Sequence, residues 1–142
     1  MPSRSRHPRK TARPRILVIE DDPQILKLLQ EVLRDLGEVI IASDGMAGQQ
    51  IIHHETVDLV ITDILMPRRE GLSVVRDLRA WDPHVKIMVI TGGDRVFPAD
   101  ILANVAAITG ADVTLKKPFA VDRLRSEVSR LLEERRTAGH ME

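Results

Sequence analysis

Three short segments, ILVI at 16–19, VDLVIT at 57–62 and VKIMVI at 85–90, are apolar almost without interruption, and each stops abruptly at a polar residue. Runs of four to six residues rich in Val and Ile are too short for helices. They also lack the alternation of a strand with one wet face, so both faces must be covered by the rest of the chain. The arrangement that does this within one domain is a parallel sheet with helices packed on each side.

The intervening segments supply those helices. Leu26, Leu29, Val32, Leu33 and Leu36 recur at spacings of three and four, which predicts a helix that starts near Asp22-Pro23 and stops at Gly37. VIIA at 39–42 reads as a second strand and 46–55 as a second helix. Helical periodicity returns over 72–81, where Asp82-Pro83 ends it, and over 100–109. A short fifth strand over 113–116 follows Gly110-Ala111. A last helix over 121–134 then places Leu124, Val128, Leu131 and Leu132 on one face. Five strands thus alternate with five helices over 15–134, in a chain of 142 residues that fits one domain.

Composition removes several function classes. Cysteine is absent, which excludes disulfides, Cys-zinc sites and thiol catalysis. No run approaches the roughly 18–20 apolar residues of a membrane span, and the basic start lacks the apolar stretch of a signal peptide, so a cytoplasmic protein is expected. Neither the P-loop nor the dinucleotide glycine motif occurs. The formal charge of zero conceals an asymmetry. Residues 1–15 carry six basic side chains and no acid, and the remainder holds 15 basic and 21 acidic residues. With Pro2, Pro8 and Pro14 and almost nothing apolar, 1–14 is expected to be a disordered basic arm, and 135–142 a short polar tail. The arm is read first as a solvated tail; contact with nucleic acid is the weaker reading. His53 and His54 are adjacent, so they cannot share a helical face and are read as surface residues rather than a metal site.

Chemistry is expected beyond the carboxyl ends of the strands, where open α/β sheets bind their ligands. To that edge strand 1 delivers Glu20, Asp21 and Asp22, strand 3 delivers Asp63, strand 4 delivers Thr91, and strand 5 delivers Lys116-Lys117-Pro118. Crowded carboxylates repel unless a cation neutralises them, and an all-oxygen set suits Mg²⁺. A carboxylate can itself act as nucleophile toward phosphorus, while a metal, an ammonium and a hydroxyl stabilise the phosphoryl oxygens. Asp63 is the acid that stands alone at a strand end, which makes it the candidate nucleophile.

The segments ILVIEDDP at 16–23, DLVITDILMPRREG at 58–71, VITG at 89–92 and LKKPF at 115–119 resemble, in order and spacing, the receiver domain of two-component response regulators. The resemblance covers 16–134. It implies a flavodoxin-like (βα)5 three-layer sandwich with strand order 2-1-3-4-5, for which the receiver fold is a reference case. It further implies that Asp63 accepts a phosphoryl group from a histidine kinase or phosphotransfer protein. Mg²⁺ would be held by Glu20, Asp21, Asp63 and the main-chain carbonyl of Leu65, with Thr91 and Lys117 on the phosphoryl group. A stand-alone switch is expected, acting on a separate output partner through the surface of helix 4, strand 5 and helix 5, or passing the phosphoryl group on. Such a protein is a regulatory domain, assisting only its own phosphorylation and dephosphorylation.

Two positions depart from the family. The first acid is Glu20, where Asp is commoner, and Thr114 stands where the family's switch aromatic would fall. Two alternatives remain beside the leading reading: a receiver-like scaffold that is never phosphorylated, and an aspartyl-phosphate hydrolase of the haloacid dehalogenase type. The hydrolase is disfavoured because its second Asp, two residues after the nucleophile, is here Leu65. An apolar side chain at that position offers no hydrogen bond to an attacking water, so a long-lived phosphoryl group is expected. Leu65→Asn should shorten its half-life, measured by loss of the phosphoryl adduct after removal of the donor.

Overall fold

The computed structural model describes residues 13–63, 70–92 and 110–141. Five strands, β1 (Arg15–Ile19), β2 (Glu38–Ala42), β3 (Leu59–Asp63), β4 (Lys86–Thr91) and β5 (Val113–Lys116), alternate with four described helices, α1 (Pro23–Leu33), α2 (Gly45–His54), α3 (Glu70–Trp81) and α4 (Val121–Met141). The helix expected over 100–109, Leu65, and residues 1–12 of the expected arm lie outside the described residues. The strands form one parallel sheet in the order β2-β1-β3-β4-β5, as the family resemblance implied.

The alternation of side chains along buried strands builds a core on each face. Ile16 and Val18 of β1, Leu59 and Ile61 of β3, and Met88 and Ile90 of β4 meet Leu26, Leu29 and Leu33 of α1 and Leu124, Val128 and Leu131 of α4. Their neighbours Leu17, Ile19, Val60, Ile87 and Val89 point the other way, onto Ile52 of α2 and Val74, Val75 and Leu78 of α3. Each fully buried Leu or Ile contributes about 1.5–3 kcal/mol, which makes the three central strands the main source of stability. On the second face α2 and α3 are further joined by Gln49 Nε2 donating to Asp77 Oδ2 (2.7 Å). The His53 and Trp81 rings also meet there at 5.5 Å.

Local signals set most element ends. Asp22 caps α1, its carboxylate accepting the Gln24 N–H at 2.9 Å, with Pro23 in the first turn. Asp44 caps α2 in the same way through Ala47 N–H. α1 ends at Leu33, earlier than its apolar spacing predicts. Leu36 turns back instead, its N–H donating to Leu33 O at 2.9 Å. The open end of α1 is closed by Arg13, whose guanidinium donates to the carbonyls of Arg34 and Gly37. Pro14 O accepts the Glu38 N–H at 2.8 Å. Residues 13 and 14, expected in the arm, are thus tied to the folded domain.

The largest difference lies at the carboxyl end. α4 does not stop at 134 but continues to Met141, so 135–141 is helix where a polar tail was expected. Within this extension Arg135 is 1% exposed and lies between Asp58 and Asp82.

Gly37 has a steric reason. A Cβ there would lie 2.6 Å from Pro14 O, a backbone atom already committed to Glu38 N–H. Gly37→Ala should therefore cost about 1–3 kcal/mol, the usual range for forced overpacking, measured as a lower urea midpoint with an unchanged slope.

Candidate functional site

The strand order creates the site. From β1 the chain moves out to β2, then returns past β1 to β3, so the connections leaving β1 and β3 diverge and leave a crevice between them. Register brings the acids level: Ile19 pairs with Thr62, so the next residues, Glu20 and Asp63, emerge side by side. Asp63 pairs with Ile90, and Thr91 with Lys116, which places Thr91 and Lys117 successively further along the same edge.

The structure brings four of the expected residues together. Ligand oxygens of Glu20, Asp21 and Asp63 lie within 4.8 Å of one another. Lys117 Nζ donates to Asp63 Oδ2 at 2.8 Å and to Glu20 Oε2 at 3.3 Å. Glu20 is buried, and its second oxygen accepts the Asp22 N–H at 3.2 Å, whereas Asp21 is exposed. Fully ionised, the three carboxylates and one ammonium leave two negative charges uncompensated in a half-enclosed space.

Electrostatics records that excess. Burial, reinforced by the negative charge of Asp63, pushes the Glu20 carboxyl up from 4.5 to about 7, against the opposing pull of Lys117 and the Asp22 N–H. Burial alone would weaken the charge of Lys117, but its hydrogen bond to Asp63 and the attraction of Asp63 and Glu20 outweigh that and raise its pKa. The set is short of positive charge and rich in convergent oxygens, which fits a hard divalent cation of the Mg²⁺ type.

Thr91 stands at the end of β4, 1% exposed, and its hydroxyl has no hydrogen-bond partner among the described residues. Buried hydroxyls usually carry a hydrogen bond, so this one stands out at the strand end. Its main chain is engaged: Thr91 O accepts the Lys117 N–H at 2.7 Å. The next residue, Gly92, adopts φ +109°, and a Cβ there would come within 3.2 Å of Lys117 O. This glycine lets β4 and the Lys117 loop approach closely. In the sequence Gly92 figures only as the last residue of the VITG segment at 89–92. A glycine directly after the candidate Thr was the available signal for its second role. The Lys117–Pro118 peptide is cis.

The residues 16–129 match the family model of the response regulator receiver domain. The chain belongs to that family. It is 38% identical over 125 residues to the response regulator MprA of Mycobacterium sp. (strain KMS), a match covering 87% of this chain and 52% of that protein. It therefore spans about half the length of the curated relatives it matches. Among solved structures, the CheY-like receiver domain protein of Methanospirillum hungatei JF-1 superposes with a TM-score of 0.79 at 26% identity, covering 89% of this chain and 99% of that one. The response regulator TrrA of Thermotoga maritima, solved in complex with Mg²⁺ and beryllium fluoride, gives a TM-score of 0.71 at 32% identity, with 83% of this chain and 98% of that one covered. The receiver is a phosphoacceptor signalling switch of the two-component type. None of its described helices is long and apolar enough to cross a membrane.

The Glu20 shift has a definite sign. In the metal-free receiver the folded state keeps a proton that the unfolded chain releases. The stability contributed by protonated Glu20 is thus fully present below 4.5 and is lost as pH rises to about 7. Thermal midpoints in chelator should fall across that window and level off above it, and Mg²⁺ should raise the midpoint most on the alkaline side. Glu20→Gln should flatten both dependences.

Proposed function

We propose that Asp63 is the phosphoacceptor of this receiver and that Glu20, Asp21 and Asp63, with the Leu65 carbonyl, hold the Mg²⁺ that phosphorylation requires. The observation that carries this reading is the contact of Lys117 with Asp63 at 2.8 Å inside a cluster of three carboxylates. When bound, Mg²⁺ supplies charge neutralisation on the attacking carboxylate and on the transferred phosphoryl oxygens.

The chain's own groups divide the work. Asp63 ends a strand that is buried along its whole length and paired on both sides, so its carboxylate is held in place before the donor arrives. One oxygen of that carboxylate attacks phosphorus. The bond from phosphorus to the donor's imidazole nitrogen breaks, and the nitrogen keeps the electron pair. Lys117, already on Asp63 Oδ2, transfers its contact to a phosphoryl oxygen and neutralises the charge that arrives there. The buried Thr91 hydroxyl, which has no partner among the described residues, then gains an acceptor. Drawing Thr91 toward the phosphoryl group moves the segment after β4, which alters the surface beside β5 and α4.

The donor is a histidine kinase or phosphotransfer protein in the cytoplasm, and the output is altered binding of a separate protein at that surface or onward transfer of the phosphoryl group. Treatment with acetyl phosphate and Mg²⁺, followed by intact-mass analysis, should show one phosphoryl adduct that is absent in Asp63→Asn and in chelator. Thr91→Val should form the adduct while losing the accompanying amide NMR shift changes in β5. An adduct that survives Asp63→Asn would overturn the assignment.

A further inference from the structure

The opposite edge of the sheet holds a second ionic cluster that phosphoryl chemistry does not use. Arg135 Nε lies 3.3 Å from Asp58 Oδ1 and its Nη2 lies 3.1 Å from Asp82 Oδ2, all three side chains being buried. Each carboxylate is fixed in turn: Asp58 Oδ2 accepts the Arg15 N–H at 2.9 Å, and Asp82 Oδ1 accepts the His84 N–H at 3.0 Å. Buried ionic clusters offer little net stability over apolar residues of equal volume, and their best-attested use is to fix register.

The register in question is that of α4 against β3. Asp58 directly precedes β3 and Asp63 ends it. Lys117 leads into α4, and Arg135 lies 14 residues beyond its start, about 21 Å along the helix at 1.5 Å per residue. Two ion pairs therefore flank the strand and the helix: Asp63 at the end of β3 with Lys117, four residues before α4, and Asp58, directly before β3, with Arg135 within α4. Between them, Leu124, Val128 and Leu131 make apolar contacts, which are non-directional and tolerate a small axial slide. β3, hydrogen-bonded on both sides, cannot follow such a slide.

We propose that Arg135 is a positioning residue for the phosphoacceptor site: anchored at the amino edge, it fixes the axial position of α4 and so the reach of Lys117 toward Asp63. The proposal rests on the reading of Asp63 as phosphoacceptor. Arg135 lies beyond residues 16–129, the segment that matches the family model.

The test uses the full chain and two readouts. The first is the initial rate of phosphorylation by acetyl phosphate in saturating Mg²⁺, followed by intact mass. In D58N/D82N/R135M, which neutralises the cluster at similar volume, the adduct should form roughly tenfold more slowly or worse. Arg135→Lys keeps the charge but not the fork between two carboxylates, and should give an intermediate rate. It also serves as the variant of record if the triple substitution does not fold. The second readout is a urea-unfolding cycle between the cluster variant and Lys117→Ala. Well-separated sites are additive unless one element couples them, and here Lys117→Ala should lower the midpoint less in the cluster variant than in the wild type. Equal phosphorylation rates overturn the proposal. A slower rate with an additive cycle also overturns it, because it reports general loosening. A wild-type chain that takes up no phosphoryl group instead defeats the reading of Asp63, and the unfolding cycle still decides the coupling.

Discussion

β3 has neither a free edge nor a free face, and the rest of the domain is arranged around that confinement. All five of its residues are buried, and β1 and β4 hydrogen-bond to it on either side. A strand so placed has room for little but apolar side chains, apart from the small Thr62 hydroxyl, which donates to the Asp63 carbonyl, and its first carboxylate comes at its end, at Asp63. The same condition holds for β1 and β4, whose first polar residues beyond the core are Glu20 and Thr91. Covering both faces therefore concentrates the chain's reactive groups on one line.

That concentration is electrostatically unfavourable in the resting domain. Glu20, buried and beside Asp63, resists ionisation, and one lysine serves two carboxylates. The strain is local and useful. A site short of positive charge gains from a cation, and the Thr91 hydroxyl, without a partner among the described residues, would suit an acceptor brought to the same edge. Lys117 is the movable part, since its ammonium sits on a flexible stem, while Asp63 and Glu20 are held by the sheet.

Much of this was legible in the sequence because buried parallel strands tolerate few polar interruptions. Glu20, Asp63, Thr91 and Lys117 could be placed on one edge from the ends of apolar runs alone, and the structure brings Glu20, Asp21, Asp63 and Lys117 into contact range. What escaped depends on contacts between distant residues. Nothing local distinguishes Glu20, which is buried, from Asp21, which is exposed. Arg135 stands in a polar stretch that reads as a solvated helix end, and its partners are 77 and 53 residues away. Asp58 was an interruption in an otherwise apolar run, and only the folded chain shows the guanidinium that makes it tolerable there. The close approach of Gly92 to the Lys117 peptide is likewise a meeting of two loops.

The ring contact between His53 and Trp81 has an optical consequence. The chain has one tryptophan and no tyrosine. That tryptophan closes α3, directly before Asp82, which pairs with the buried Arg135. Its emission, open to quenching by the neighbouring imidazole, therefore watches the seam between α2 and α3 and the amino edge of the sheet. The molecule carries its natural chromophore at the pole where Arg135 is held, away from the acidic edge of Glu20, Asp21 and Asp63.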